Sequence, residues 1–192
     1  VSIAKREVYG QVDIDGLYGP TETIVIADDA VDPELAAADL LAQAEHDELA
    51  SPMLITTGLD VAERVASEIE RQIATLSRGP TARAAVDAQG AAVVVDTVAE
   101  AIELANAYAP EHLCLLVRDA ASFTGLVRNA GGIFVGEHSP EVIGDYVAGP
   151  SHVMPTGGTA RFTSSLGVQA FLRHIPVIAL GGEMLNQVGP AA

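Results

Sequence analysis

Short apolar runs rich in Val, Ile and Leu recur along this chain, each followed by a stretch with helical spacing, and this alternation constrains the fold more than any other feature. Thr23-Ile24-Val25-Ile26-Ala27, Met53-Leu54-Ile55-Thr56, Ala91 to Val95, Leu113 to Val117 and Gly131 to Gly136 read as strands. Strands that are apolar along their whole length need cover on both sides, as in parallel sheets. The intervening helices supply that cover. The chain is therefore predicted to be α/β, with a mainly parallel sheet covered by helices on both faces. The arrangement is Rossmann-like but lacks a G-x-G-x-x-G turn. Hydrophobic residues make up 49% of the chain and aromatics only 4%, so Ala, Val, Ile and Leu must fill the core.

Local signals place the helices. Asp32-Pro33-Glu34 predicts a start, with Asp32 accepting from free N–H groups and Pro33 at the first helical position. This helix should run to about His46 or Asp47. Asp60 is expected to cap the next helix, whose apolar face is Val61, Val65, Ile69 and Ile73. Gly79-Pro80 breaks that pattern. Thr97 and Glu100 form a capping box for a helix to Tyr108, which Pro110 terminates. A shorter helix is expected from Ala120 to Asn129. From Ser139 to Gly167 the chain is rich in Gly, Pro, Ser and Thr and should be irregular, as functional segments often are. Ile175 to Leu180 is an apolar segment.

The sequence carries 26 acidic and 10 basic side chains, a formal net charge of −16. Nucleic-acid binding calls for a basic face, and anionic membrane surfaces repel such a chain. Solubility is the plainer reading of the charge, and a cationic or zwitterionic substrate is compatible with it. Cys114 is the single cysteine, so no internal disulfide can form, which fits a cytoplasmic setting. Its surroundings, Leu113 and Leu115-Leu116-Val117, predict an inert buried thiol. No apolar run is long enough to span a bilayer, and no signal-peptide pattern opens the chain.

Three segments could carry chemistry. Gln43 and His46 lie three apart and share a helix face, with Asp39 a turn earlier. An amide oxygen and an imidazole can both bind zinc, though Gln is a rare ligand. The plainer reading is a polar helix end with His46 beside the C-terminal dipole. Glu111-His112 sits where a helix gives way to a buried strand, and such a pair can move a proton. The plainer reading is a loop His beside a solvated Glu. In Gly144-Asp145-Tyr146 through Ser151-His152, Asp145 is a possible metal ligand and His152 a possible substrate group. The plainer reading is an Asp turn between glycines. No G-x-S-x-G elbow, P-loop or H-E-x-x-H is present, and His138 and His174 have no motif around them.

Together these segments resemble the histidinol dehydrogenase family. Gly19-Pro20-Thr21-Glu22-Thr23, Asp39 through His46, Pro110-Glu111-His112-Leu113, Gly144-Asp145-Tyr146, Ser151-His152-Val153-Met154-Pro155-Thr156 and Ser164-Ser165-Leu166-Gly167 carry the match, in order. Each is weak alone; six in sequence are specific. The resemblance implies a zinc-dependent, NAD-linked oxidation of L-histidinol to L-histidine through histidinal, in histidine biosynthesis. It implies Gln43, His46 and Asp145 as zinc ligands, Glu111 and His112 as the acid/base pair, and Thr21, Tyr146 and His152 around the substrate; it assigns no NAD contact. Thr21 stands where the family often has Ser. The resemblance also implies a homodimer whose site is completed across the subunit interface. It places residues 1–15 as the exit from a cofactor-binding domain, 16–180 as the catalytic and zinc domain, and 181–192 as a tail expected to fray or lead into a C-terminal region. On that view the chain is a central segment, weak or inactive alone. A sibling zinc and NAD dehydrogenase of another small alcohol, or a non-catalytic scaffold, are the alternatives.

Overall fold

The computed structural model describes all 192 residues apart from the side chain of Asp145. Five strands form one parallel sheet: β1 (Glu22–Ala27), β2 (Ser51–Thr56), β3 (Ala91–Val94), β4 (His112–Leu116) and β5 (Gly132–Val135), in the order β3-β2-β1-β4-β5. Parallel neighbours require crossovers, and the helices provide them: α2 (Pro33–Ala44), α3 (Leu59–Ile73), α4 (Gly79–Gln89), α5 (Val98–Tyr108) and the short α6 (Ala120–Phe123). Three more lie outside the strand crossovers: α1 (Ser2–Val8), α7 (Glu141–Tyr146) and α8 (Gly182–Val188). The predicted α/β class with a parallel sheet covered on both faces is the fold found. Among the described residues no helix is long and apolar enough to cross a membrane.

The period of two along each strand divides the core between the faces. Val25 and Ala27 of β1 and Cys114 and Leu116 of β4 pack with Ala36, Leu40, Val61 and Val65 from α2 and α3. Ile24, Ile26, Leu113 and Leu115 point the other way, against Ala101, Ile102 and Ala105 of α5. Alanines on both helices let them approach the sheet closely, which suits a core with few aromatics. A third cluster, including Leu41, Ile73, Ala82 and Ala85, joins α2, α3 and α4.

Several local expectations need correction. The helix start at Asp32-Pro33 is as predicted, with Asp32 Oδ1 accepting from the Glu34 N–H at 2.9 Å. That helix stops at Ala44, however, so His46 lies beyond it. Gly58, not Asp60, is the N-cap of α3; Asp60 sits in the first turn. Gly79-Pro80 does end one helical pattern, but it opens α4, because Pro is tolerated in a first turn where its N–H would have no partner. The Thr97/Glu100 capping box is present in full, and Ala109 leaves α5 in the left-handed region at φ 63° just before Pro110. The predicted helix from Ala120 breaks up after Phe123 into a 3₁₀ turn at Thr124–Leu126. The opening residues form α1. The stretch after Ser139 contains α7, and the tail expected to fray contains α8.

Candidate active site

Strand order reverses between β1 and β4. In open α/β sheets the crevice at such a reversal usually takes ligands at the carboxyl ends of the strands. Here the carboxyl edge is tied by the chain's own groups: the Arg118 N–H donates to Asp28 at 2.9 Å, and the Asp32 N–H donates to Glu137 at 2.7 Å. The polar side chains converge at the opposite edge, where β1 and β4 begin.

Thr21 immediately precedes β1 and Glu111 immediately precedes β4, and the register pairs Thr23 with His112. The pairing brings two residues ninety positions apart into contact: Thr21 Oγ1 lies 2.7 Å from Glu111 Oε2. It also lies 2.8 Å from Gln43 Oε1, at the last turn of α2. A hydroxyl has one proton, so it donates to one of these oxygens at a time. When Thr21 donates to Gln43, a protonated Glu111 can donate to Thr21. The Glu22 backbone N–H adds a contact to Glu111 Oε2 at 3.3 Å. Burial pushes the Glu111 carboxyl up to about 7, against the stabilising bonds from Thr21 and the Glu22 N–H; the charge of Glu22 raises it further and His152 lowers it.

His112 is 3% exposed. Its Nδ1 lies 3.2 Å from the Glu22 carbonyl and 3.6 Å from Glu111 Oε2, and its ring stacks on Phe134 at 5.8 Å. A carbonyl only accepts, so the Nδ1 contact favours the proton on that nitrogen. In front of Glu111 a cleft of about 210 Å³ is lined by Tyr18, Gly19, Thr21, His152 and Thr156 among others. The structure thus brings together Thr21, Gln43, Glu111, His112 and His152 of the predicted site.

The remaining predicted residues are placed differently. His46 is exposed just past α2, and its Nδ1 lies 2.7 Å from the Ala42 carbonyl. That contact makes Nδ1 the donor and leaves Nε2 as the acceptor a metal would need. The Asp145 side chain lies outside the described residues. Tyr146 is 84% exposed and does not line the cleft. Among the described residues no three His, Cys, Asp or Glu side chains gather as a metal cluster. The described donors, an amide oxygen and an imidazole nitrogen at one helix end, suit zinc in kind and fall short in number without Asp145 or a further ligand.

Other participants gave little local signal. Thr156 Oγ1 accepts from the Gly19 N–H at 2.7 Å, and Glu22 Oε1 accepts from the Gly157 N–H at 3.0 Å. These long-range bonds fold the irregular stretch over the amino ends of the strands. Burial raises the Glu22 carboxyl, opposed by the backbone N–H groups of Gly157 and Glu111. The one local clue to Glu22 was a carboxylate opening an otherwise apolar strand. Gly131 permits this closure: a Cβ there would lie 2.5 Å from the Glu111 carbonyl oxygen. Cys114 is buried as predicted, with its thiol pushed well above its ordinary range by burial, and its Sγ donates to Glu141 at 3.1 Å.

The histidinol dehydrogenase family model matches residues 1–192. The histidinol dehydrogenase of Deinococcus radiodurans is 53% identical over 194 residues, covering 100% of this chain and 44% of the relative. That of Thermus thermophilus is 53% identical over 180 residues, covering 94% of this chain and 43% of the relative. The crystal structure of histidinol dehydrogenase from Elizabethkingia anophelis superposes with a TM-score of 0.93 at 34% identity, over 99% of this chain and 44% of that one. The chain therefore spans somewhat under half the length of the relatives it matches. The chain belongs to the histidinol dehydrogenase family.

Proposed function

We propose that these residues form the catalytic cleft of an enzyme that oxidises L-histidinol to L-histidine through histidinal, using NAD and zinc, in cytoplasmic histidine biosynthesis. The observation that carries this is Glu111. It is a carboxyl pushed up to about 7, held by Thr21 and the Glu22 N–H, and set at the back of a cleft that His152 also lines. A general base works best when its pKa lies near the working pH.

Gln43 through its amide oxygen, His46 through Nε2 and Asp145 through its carboxylate would hold zinc. When bound, zinc orients and polarises the substrate oxygen, and NAD accepts the hydride. Glu111 takes the hydroxyl proton as the carbinol carbon loses its hydride. His112, whose Nδ1–H lies 3.6 Å from Glu111 Oε2, favours the ionised carboxylate and keeps it oriented, and its Nε2 is the basic nitrogen of the acid/base pair. In the second oxidation Glu111 takes a proton from the water that adds to the aldehyde. Thr21 and His152, which line the cleft, are substrate-binding groups of this proposal, and Tyr146, exposed on α7 outside the cleft lining, is the third. The partner is a second copy, forming a homodimer. With only Gln43 and His46 as described donors, zinc binding by this stretch alone would be weak and turnover slow or absent.

Steady-state assay with zinc, NAD and L-histidinol, on a chain extended to the length of its relatives, tests the proposal. NADH should form, with histidine as product. Faster oxidation of another small alcohol would favour the sibling dehydrogenase, and no NADH from any alcohol would favour the scaffold.

A further inference from the structure

Behind the cleft lies a second polar cluster, on the α2 side of the sheet. Among the described residues Glu141 alone of the carboxylates has no exposed surface. Its Oε1 accepts from the Thr23 hydroxyl of β1 and from the Cys114 thiol of β4, the latter at 3.1 Å. The Asp39 and Gln43 side chains of α2 lie near enough to influence its titration. Its Oε2 is buried with no hydrogen-bond partner among the described residues.

Each partner stands close to a candidate site residue in sequence. Thr23 is two residues after Thr21 on β1. Cys114 is two after His112 on β4. Asp39 is one turn before Gln43 on α2. Glu141 itself is the first residue of α7, the helix that carries Asp145 and Tyr146. A carboxyl with a buried oxygen lacking a partner is costly, and an apolar residue there would pack without that cost. The carboxyl takes the hydrogen bonds of the buried Thr23 hydroxyl and Cys114 thiol, and the four elements around the cleft meet on it.

We propose that Glu141 is a positioning residue: its buried carboxyl pins α7 to β1, β4 and α2 and so fixes where α7 presents its side chains relative to Gln43 and Glu111. The proposal rests on the site reading above for its consequence, but the pinning stands on geometry alone. Glu141 does not line the cleft. Its short helix, only six residues long, has an exposed outer face and depends on this anchor.

The test uses Glu141→Gln, which keeps an oxygen for Thr23 and Cys114, and Glu141→Ala, which removes it. Thr23→Val deletes one donor with little change of shape, should Glu141→Ala fail to fold. Hydrogen exchange of the metal-free full chain should show protection of the 142–146 amides falling at least about tenfold in Glu141→Ala, with β1 and β4 unchanged. Thr23→Val should produce a smaller loss in the same amides, and Glu141→Gln should restore protection. Zinc affinity, measured by competition with a chromophoric chelator, should fall about 10- to 100-fold in Glu141→Ala and recover in Glu141→Gln. Unchanged protection of 142–146 in both Glu141→Ala and Thr23→Val overturns the proposal. So does unchanged zinc affinity in Glu141→Ala when His46→Ala abolishes binding. If His46→Ala leaves zinc binding unaltered, the metal reading fails, and the exchange result still decides the role of Glu141.

Discussion

The Thr21 hydroxyl oxygen stands 2.7 Å from a carboxyl oxygen of Glu111, although the two residues are ninety positions apart. Parallel pairing of β1 with β4 makes the contact, because each residue is the last before its strand. Replacing Thr21 by Val removes a donor to the Glu111 carboxylate while keeping the shape. A bond to a charged group is worth about 1.5 kcal/mol, or about one pH unit. The acidic limb of kcat/KM should move to higher pH by about that amount, and a pH profile checks it.

Glu111 also couples stability to pH. Its folded pKa, about 7, lies above its ordinary 4.5, so between those values the folded state binds more protons than the unfolded state. The sign follows: its favourable contribution is fully present below about 4.5 and is lost as pH rises through about 7. The stability difference between wild type and Glu111→Gln in urea melts should therefore shift against wild type over that window.

At the proposed zinc site, His46→Ala and Gln43→Ala should each lower zinc affinity. The His46 variant should lose more, since imidazole is the stronger ligand. Equilibrium dialysis with metal analysis reads this directly.

In the core, Leu115 is fully buried on β4 against the α5 face. Leu115→Ala should cost about 2–5 kcal/mol in denaturant unfolding. Thr97→Ala removes the cap of α5, whose hydroxyl accepts from the Glu100 N–H at 3.2 Å, and should cost about 1 kcal/mol.

The fold was legible because its signals are local. Apolar runs such as Thr23 to Ala27 marked the strands, and Asp32-Pro33 and Thr97/Glu100 marked the helix starts. α4 was missed because Gly79-Pro80 both ends one helix and begins another, and spacing alone does not separate the two. The site was legible chiefly through the order of the resembling motifs. Glu22, Thr156 and Glu141 stayed hidden because their partners are Gly157, Gly19, Thr23 and Cys114, contacts that only the folded sheet creates. The length of α2 was overestimated by two or three residues for lack of a stop signal such as Gly after Ala44.

The most direct test of the central claim is kcat/KM for L-histidinol across pH in the full chain, for wild type and Glu111→Gln. Wild-type activity should rise with pH through about 7 as Glu111 ionises, and Glu111→Gln should lose about 10²–10⁴-fold and this limb with it. A Glu111→Gln enzyme within about threefold of wild type, with the limb intact, would contradict the claim.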